Sequence, residues 1–286
     1  MLTRAVLDRV VQAALDEDAP WGDVTCEALI PADAVATALL VAREPGVFSG
    51  APVFAAAFRL TDPRIEVTQT VPDGAPFAAG DVLATVHGPA RGVLTAERIA
   101  LNFTQRMCGI ATLTAAYVAE TAHTAARIAD TRKTTPGLRA FERQAVRDGG
   151  GHNHRRTLSD AVMAKDNHLA VLTRRGMSVT DALRQAVAQV PHTTHVEVEV
   201  DRPDQIEPVL AAGIGTIMLD NFALDDLRAG VVQVGGRAVV EASGGVSLQT
   251  VRAIAETGVD VISVGALTHS ARALDLGLDI RIDEDD

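Results

Sequence analysis

The chain of 286 residues contains two cysteines, Cys26 and Cys108, and two lysines, Lys133 and Lys165. Two cysteines cannot build a disulfide framework or a cysteine-rich metal site, so a reducing cytoplasm is the expected location. No apolar run approaches the eighteen residues of a membrane span. The first eighteen residues carry Asp8, Asp16, Glu17 and Asp18, which fits neither a signal peptide nor an anchor. Net positive charge is also lacking. The 26 basic residues stand against 37 acidic ones, and a balance of −11 argues against a surface that coats nucleic acid or anionic membrane. No GxGxxG follows a strand-like segment, which weakens a dinucleotide-binding reading.

With two lysines, the chain holds 24 arginines. Arginine evidently fills the ordinary surface roles, so the two lysines mark positions where a compact, strongly hydrated point charge is wanted. Eleven of the basic residues fall between Arg127 and Arg175, against five acids, an excess that predicts a pocket for a small, highly anionic ligand. Within that stretch Arg143, Arg147, Arg174 and Arg175 read as a solvated face.

Residues 2–15 have the spacing of an amphipathic helix. A β-like region follows, with short apolar runs separated by turn glycines at 74, 80, 88 and 92. A long helix is expected from about Thr95, with Arg98, Asn102 and Arg106 as a polar stripe and Gly109 allowing close packing or marking a break. Beyond it, six short apolar strands near 127–130, 161–164, 195–200, 216–219, 238–241 and 261–264 alternate with helical stretches. That is the pattern of a covered parallel sheet, and chemistry at the strand ends favours a closed or nearly closed α/β barrel.

The strand ends hold the candidate site. Thr131, Arg132 and Lys133 follow the first strand. Three glycines at 149–151 lead to His154 and Arg155, and Lys165 ends the second strand. A zinc site through His-x-His lacks a third ligand at fitting spacing. In Val196–Asp201 the valines alternate with acids. Glu199 therefore lies near the barrel mouth, and Glu197, one layer deeper, needs a buried cationic partner. With Asp220 it places two carboxylates beside a basic pocket, suited to Mg²⁺ on a polyphosphate. Ser243-Gly244-Gly245 and Val264-Gly265-Ala266 offer backbone N–H groups to a phosphate after the last two strands.

The blocks EDAPWGDVT (17–25), ERIALNFTQRMCGIAT (97–112), DTRKTTPGLR (130–139), GGGHNHR (149–155), KDNH (165–168), VEVEVD (196–201), LDN (219–221), EASGG (241–245) and SVGALTHS (263–270) resemble the quinolinate phosphoribosyltransferase family from end to end. The resemblance implies an N-terminal α/β sandwich domain plus an incomplete parallel α/β barrel, the type II phosphoribosyltransferase fold. Boundaries are expected at 1–104 and 105–274, with the tail 275–286 returning to the first domain. It implies transfer of the phosphoribosyl group of phosphoribosyl pyrophosphate to quinolinate with decarboxylation, giving nicotinate mononucleotide, CO₂ and pyrophosphate in NAD biosynthesis. Homodimers or larger assemblies up to a hexamer are implied, with Arg98 reaching the partner's site. Arg132, His154 and Arg155 would then grip the dicarboxylate, Lys133 and Lys165 would neutralise carboxylate and pyrophosphate, and Arg139 would support them. Glu199 and Asp220 would hold ribose hydroxyls and Mg²⁺–pyrophosphate, while Ser243–Gly245 and Val264–Ala266 would take the 5′-phosphate. The alternatives are a phosphoribosyltransferase for another pyridine carboxylate and a non-catalytic phosphosugar-binding paralogue. The density of cations and the two mouth acids weigh against both.

Overall fold

The computed structural model describes residues 2–174 and 176–282, so Arg175 and the last four residues of the expected tail lie outside the described residues. In chain order the first elements are α1 (Arg4–Asp18), α2 (Val24–Leu29), β1 (Val35–Ala42), β2 (Gly46–Val47), α3 (Ala51–Thr61), β3 (Glu66–Gln69), β4 (Pro76–Phe77), β5 (Val82–Pro89) and α4 (Ala90–Thr121). There follow β6 (Arg127–Ala129), α5 (Arg139–Asp148), β7 (Val162–Ala164), α6 (Asp166–Thr173), α7 (Val179–Val187), β8 (Val196–Val200) and α8 (Ile206–Ala211). The chain continues through β9 (Thr216–Asp220), α9 (Leu224–Val234), β10 (Val239–Ser243), α10 (Val251–Ala255), β11 (Val261–Ser263), α11 (Ala266–His269) and β12 (Leu276–Ile282). None of the described helices is long and apolar enough to cross a membrane.

The chain forms two compact units. One comprises 1–115, 134–150 and 267–286, and the other 116–133 and 151–266. The helix α4 runs unbroken across the expected boundary at 104/105.

The first unit is built on an antiparallel sheet in the order β12-β1-β5-β3. The C-terminal strand pairs along β1 from Ala36↔Ile282 to Ala42↔Leu276, so the last described residues complete the first sheet. Strand β1 alternates exposed and buried positions, the period-2 pattern of a sheet covered on one face. The helix α3 falls within the region read as β-like. Its sequence, APVFAAAFRLT, starts with proline at the first turn and then buries Val53, Phe54, Ala56, Ala57 and Phe58, so no polar stripe reveals a helical period. The helix α4 starts at Ala90, five residues before the expected Thr95.

Two contacts fix the core of this unit. Glu142, 1% exposed, accepts from Arg106 Nη2 at 2.8 Å, from the Thr135 N–H at 3.0 Å and from the Thr135 hydroxyl at 2.7 Å. Arg106 also donates to the carbonyls of Thr268 and Ala271, tying α4, α5 and the segment after β11 together. Cys108 is buried, its thiol pushed up to about 12 by burial, and it hydrogen-bonds the Ser49 backbone as a structural group.

The second unit carries a parallel sheet in the order β6-β11-β10-β9-β8-β7, the six strands expected. Most residues of the central strands β8, β9 and β10 are buried, as a sheet covered on both faces requires. Strands β6 and β7 lie at opposite edges of that order, yet residues just beyond both line one cavity. The sheet is therefore curled into an incomplete barrel. Its seam is occupied by the loop after the three glycines, where His152 bridges β6 through its N–H to Ile128 O at 2.8 Å.

Gly109 shows which of its two expected roles holds. A Cβ there would lie 1.8 Å from the Arg272 carbonyl oxygen, so the glycine permits close packing against backbone within an unbroken helix. Helix propensity alone would make Gly109→Ala stabilising by about 1 kcal/mol. The contact reverses that sign. We expect Gly109→Ala to destabilise the protein by about 3 kcal/mol and to lower the melting temperature by roughly 6–10 °C in calorimetry.

Candidate active site

A cavity of about 450 Å³ opens at the C-terminal ends of the barrel strands. One wall is basic. Thr131, Arg132 and Lys133 come from the end of β6, and the Thr131 hydroxyl accepts the Lys133 N–H at 3.1 Å. Arg155 stands nearby, its pKa lowered first by burial and then by the charge of Arg132. Two guanidinium groups that disfavour one another make a place that gains most from an anion.

The loop carrying His154 and Arg155 is held from below. Asp130, 0% exposed, accepts the His154 N–H at 2.8 Å and the Asn153 side-chain amide at 2.6 Å. His154 Nε2 lies 3.1 Å from Glu197 and 3.5 Å from Glu241, and its Nδ1 accepts the Arg155 N–H at 2.7 Å. The buried partner expected for Glu197 is thus His154. Burial works against the imidazolium, but the hydrogen bonds and charges of the two carboxylates outweigh it and push the histidine up to about 10. Burial, with the Glu241 charge adding to it, raises Glu197 above the usual carboxylate range despite the histidine.

The opposite wall is acidic. Lys165 forms an ion pair with Glu199, and Asp220 accepts from the Asn221 amide at 2.7 Å. Glu199 and Asp220 also line an adjoining cavity of about 320 Å³ with Asp166, Asp201 and Asn221. Four carboxylates and an amide are hard oxygen donors, and their chemistry fits Mg²⁺.

The third wall is the turn after β10. Ser243, Gly244 and Gly245 line the cavity, and the Asn221 N–H donates to Ser243 O at 2.9 Å. Gly244 has φ +92°, and a Cβ there would meet Asn221 Oδ1 at 2.1 Å, so this turn passes too close to β9 for any side chain. Ser263 of β11 also reaches the cavity.

One donor of the expected site is already engaged, and two expected residues belong to the first compact unit. The Val264 N–H is not available to a phosphate, because it donates to Ala129 O at 2.9 Å, and Val264, Gly265 and Ala266 are absent from the wall described. Arg98, exposed on α4, and Arg139, which donates to the Thr134 hydroxyl at 2.9 Å, belong to the first compact unit.

This combination has relatives. The family model for the N-terminal domain of quinolinate phosphoribosyl transferase matches residues 23–108, and that for the C-terminal domain matches 110–279. The chain belongs to the quinolinate phosphoribosyl transferase family. It is 45% identical over 279 residues to nicotinate-nucleotide pyrophosphorylase [carboxylating] of Mycobacterium leprae, covering 94% of this chain and 95% of that one. A probable enzyme of the same name from Bacillus subtilis is 39% identical, with 93% and 90% covered. Among solved structures, NadC from Streptococcus pyogenes superposes with a TM-score of 0.94 at 39% identity, covering 99% of each chain. The fold expected from the resemblance is the family's fold.

Three further residues shape this cavity and its supporting loop. Glu241 lies two residues before Ser243 on β10 and so shares its face, a period-2 signal that was open to reading. Asp130 and Asn221 act through backbone contacts, which no side-chain pattern announces.

Proposed function

We propose that this protein transfers the phosphoribosyl group of phosphoribosyl pyrophosphate to the ring nitrogen of quinolinate and removes the 2-carboxylate as CO₂, forming nicotinate mononucleotide and pyrophosphate. The observation that carries the reading is one cavity with Arg132, Lys133 and Arg155 on one side and Glu199 and Asp220 on the other. A dicarboxylate suits the first set, since guanidinium forks match carboxylates in geometry. Ribose hydroxyls suit the second.

Quinolinate would lie against Arg132, Arg155 and His154, and Arg139 would support the loop that follows Lys133. Lys133 and Lys165 would meet carboxylate and pyrophosphate as point charges. The turn Ser243–Gly245 would take the 5′-phosphate, together with the backbone of Gly265 and Ala266. Glu199 and Asp220 would hold Mg²⁺ together with the ribose, and the ion would supply charge neutralisation for the departing pyrophosphate. The same two acids stabilise the positive charge that develops on the sugar as its bond to pyrophosphate lengthens. Decarboxylation leaves an electron pair on C2 beside the quaternary nitrogen, and the task of the protein there is to orient and desolvate the carboxylate.

The deciding assay is incubation of the purified protein with quinolinate, phosphoribosyl pyrophosphate and Mg²⁺, followed by mass analysis for nicotinate mononucleotide. Turnover of nicotinate but not quinolinate would overturn the substrate assignment. In the same assay Lys133→Arg and Lys165→Arg should each lose at least about 100-fold in kcat/KM, roughly 2.7 kcal/mol, with folding intact by circular dichroism. Retention of activity within about threefold would remove that lysine from the site.

The expected assembly is a homodimer, alone or as part of a hexamer, in which Arg98 serves the partner's cavity. Arg98→Ala and Glu199→Ala should each be nearly inactive, and subunit exchange between them should restore up to about a quarter of the wild-type sites. Failure to recover activity in demonstrated heterodimers would place Arg98 outside the partner's site.

A further inference from the structure

The reaction proposed above ends only when C2 of the pyridinium, left with an electron pair by loss of CO₂, receives a proton. The donor must face the mouth cavity and hold a transferable proton near neutral pH. Arginine does not release its proton. Of the remaining groups lining it, Lys165 is engaged with Glu199, Lys133 is the competing donor that the test below separates, and His154 is the one whose surroundings set two opposed demands on a single proton.

The Arg155 N–H points at Nδ1 of His154, which requires a lone pair there and places the ring proton on Nε2, facing Glu197 and Glu241. Those carboxylates are each 3% exposed, and one oxygen of each, Glu197 Oε1 and Glu241 Oε1, is buried without a hydrogen-bond partner. Such a concentration of negative charge behind the ring favours a second proton on Nδ1, where the amide N–H opposes it.

We propose that His154 is the catalytic proton donor to C2 and that Glu197 and Glu241 are positioning residues that hold its charged form. The imidazolium first faces the 2-carboxylate. The C2–carboxylate bond breaks, CO₂ leaves as a neutral molecule, and the electron pair remains on C2. The Nδ1–H bond then breaks toward C2, forming the C2–H bond and leaving the ring neutral, with Nδ1 free to accept the Arg155 N–H. Water returns the proton. A second cavity of about 490 Å³, at the N-terminal ends of the strands, is lined by the same His154, Glu197 and Glu241 and gives water access to the far side of the cluster.

The charged groups around the ring are Glu197 from β8, Glu241 from β10, Asp130 from the end of β6, which accepts the His154 N–H, and Arg155 of its own loop. Arg132, Lys133, Lys165, Glu199 and Asp220 share the cavity. Asp130 and the cations are retained in the variants below, so a change in pH response reports the carboxylates.

The test is rapid-quench assay of pyrophosphate and CO₂ with mass analysis of the mononucleotide. Wild-type protein should release both products in step. With quinolinate saturating, so that any loss of its binding is offset, His154→Asn should release pyrophosphate within about tenfold of the wild-type rate but CO₂ at least about 100-fold more slowly, so that a mononucleotide heavier by one CO₂ accumulates. Because the imidazolium exists below its pKa, Glu241→Gln should accumulate the same species only at alkaline pH, its alkaline limb moved down by about 1–3 pH units, and behave as wild type near pH 6. Where His154→Asn does not fold, the pH series of Glu241→Gln decides. Equal slowing of both products without the heavier species, or accumulation in Lys133→Met or Lys165→Met instead, overturns the assignment. A wild-type protein that makes no nicotinate mononucleotide removes the activity itself, a result visible before any variant is made.

Discussion

Three carboxylates buried in the barrel constrain the rest of the site. Asp130, Glu197 and Glu241 would each cost several kcal/mol if left alone in the interior. The segment 153–154 answers all three, through the Asn153 amide, the His154 N–H and the His154 ring. That segment also sits at the seam between β6 and β7, where a closed barrel would have had another strand pairing. Moving the loop would therefore orphan buried charge as well as open the sheet. The position of Arg155 follows from this, since its backbone N–H is tied to the same ring. A loop that is glycine-rich at its start, and so free to adopt many paths, is held to one path by the acids beneath it.

The mouth cavity gathers charge of both signs, and the arrangement decides what can bind. Arginines 132 and 155 line the cavity together, and the charge of one disfavours the other, whereas Lys165 is paired with Glu199. An anion at the arginine side relieves repulsion. A ligand at the other side must either displace the lysine from its partner or bring a cation of its own. Phosphoribosyl pyrophosphate carrying Mg²⁺, as proposed, would do the latter, which would make the acidic cavity beside Glu199 and Asp220 compatible with a highly anionic substrate. The local excess of base read from the sequence is thus a half-truth about the site, because acids distant in sequence form its opposite wall.

Much of this was legible before the structure. The six strands of the parallel sheet, the inward acids of Val196–Asp201 and the turn after β10 follow from short apolar runs, period-2 alternation and paired glycines. What escaped has physical reasons. The helix α3 is apolar on all sides, so it carries no period to read. Glu241 precedes a glycine turn whose signal is stronger, although it shares a face with Ser243. The Val264 N–H looked available because a sequence does not show which amide a neighbouring strand will claim, and Ala129 claims this one. Asp130 does its work by accepting backbone hydrogen bonds, and such roles become visible only when the loop has a path.

The use of lysine and arginine in the folded chain sharpens the composition argument. Arginines carry the surface ion pairs, as in the bidentate contact of Arg237 with Glu207 and the pairs of Arg272 with Glu44 and Arg252 with Glu120. They also do the buried structural work, as Arg106 does at Glu142. The two lysines of the whole sequence both line the same cavity, from different strands of one sheet. A chain that places arginine in exposed, half-buried and structural positions alike shows no general need for lysine. Two lysines converging on one cavity are then best explained by what that cavity must do: place a small, strongly hydrated charge, with donors free to rotate, where a planar fork would fix the wrong directions. The guanidinium groups at the neighbouring positions 132 and 155 supply the fixed directions, and the division of labour between the two kinds of cation is written into the site.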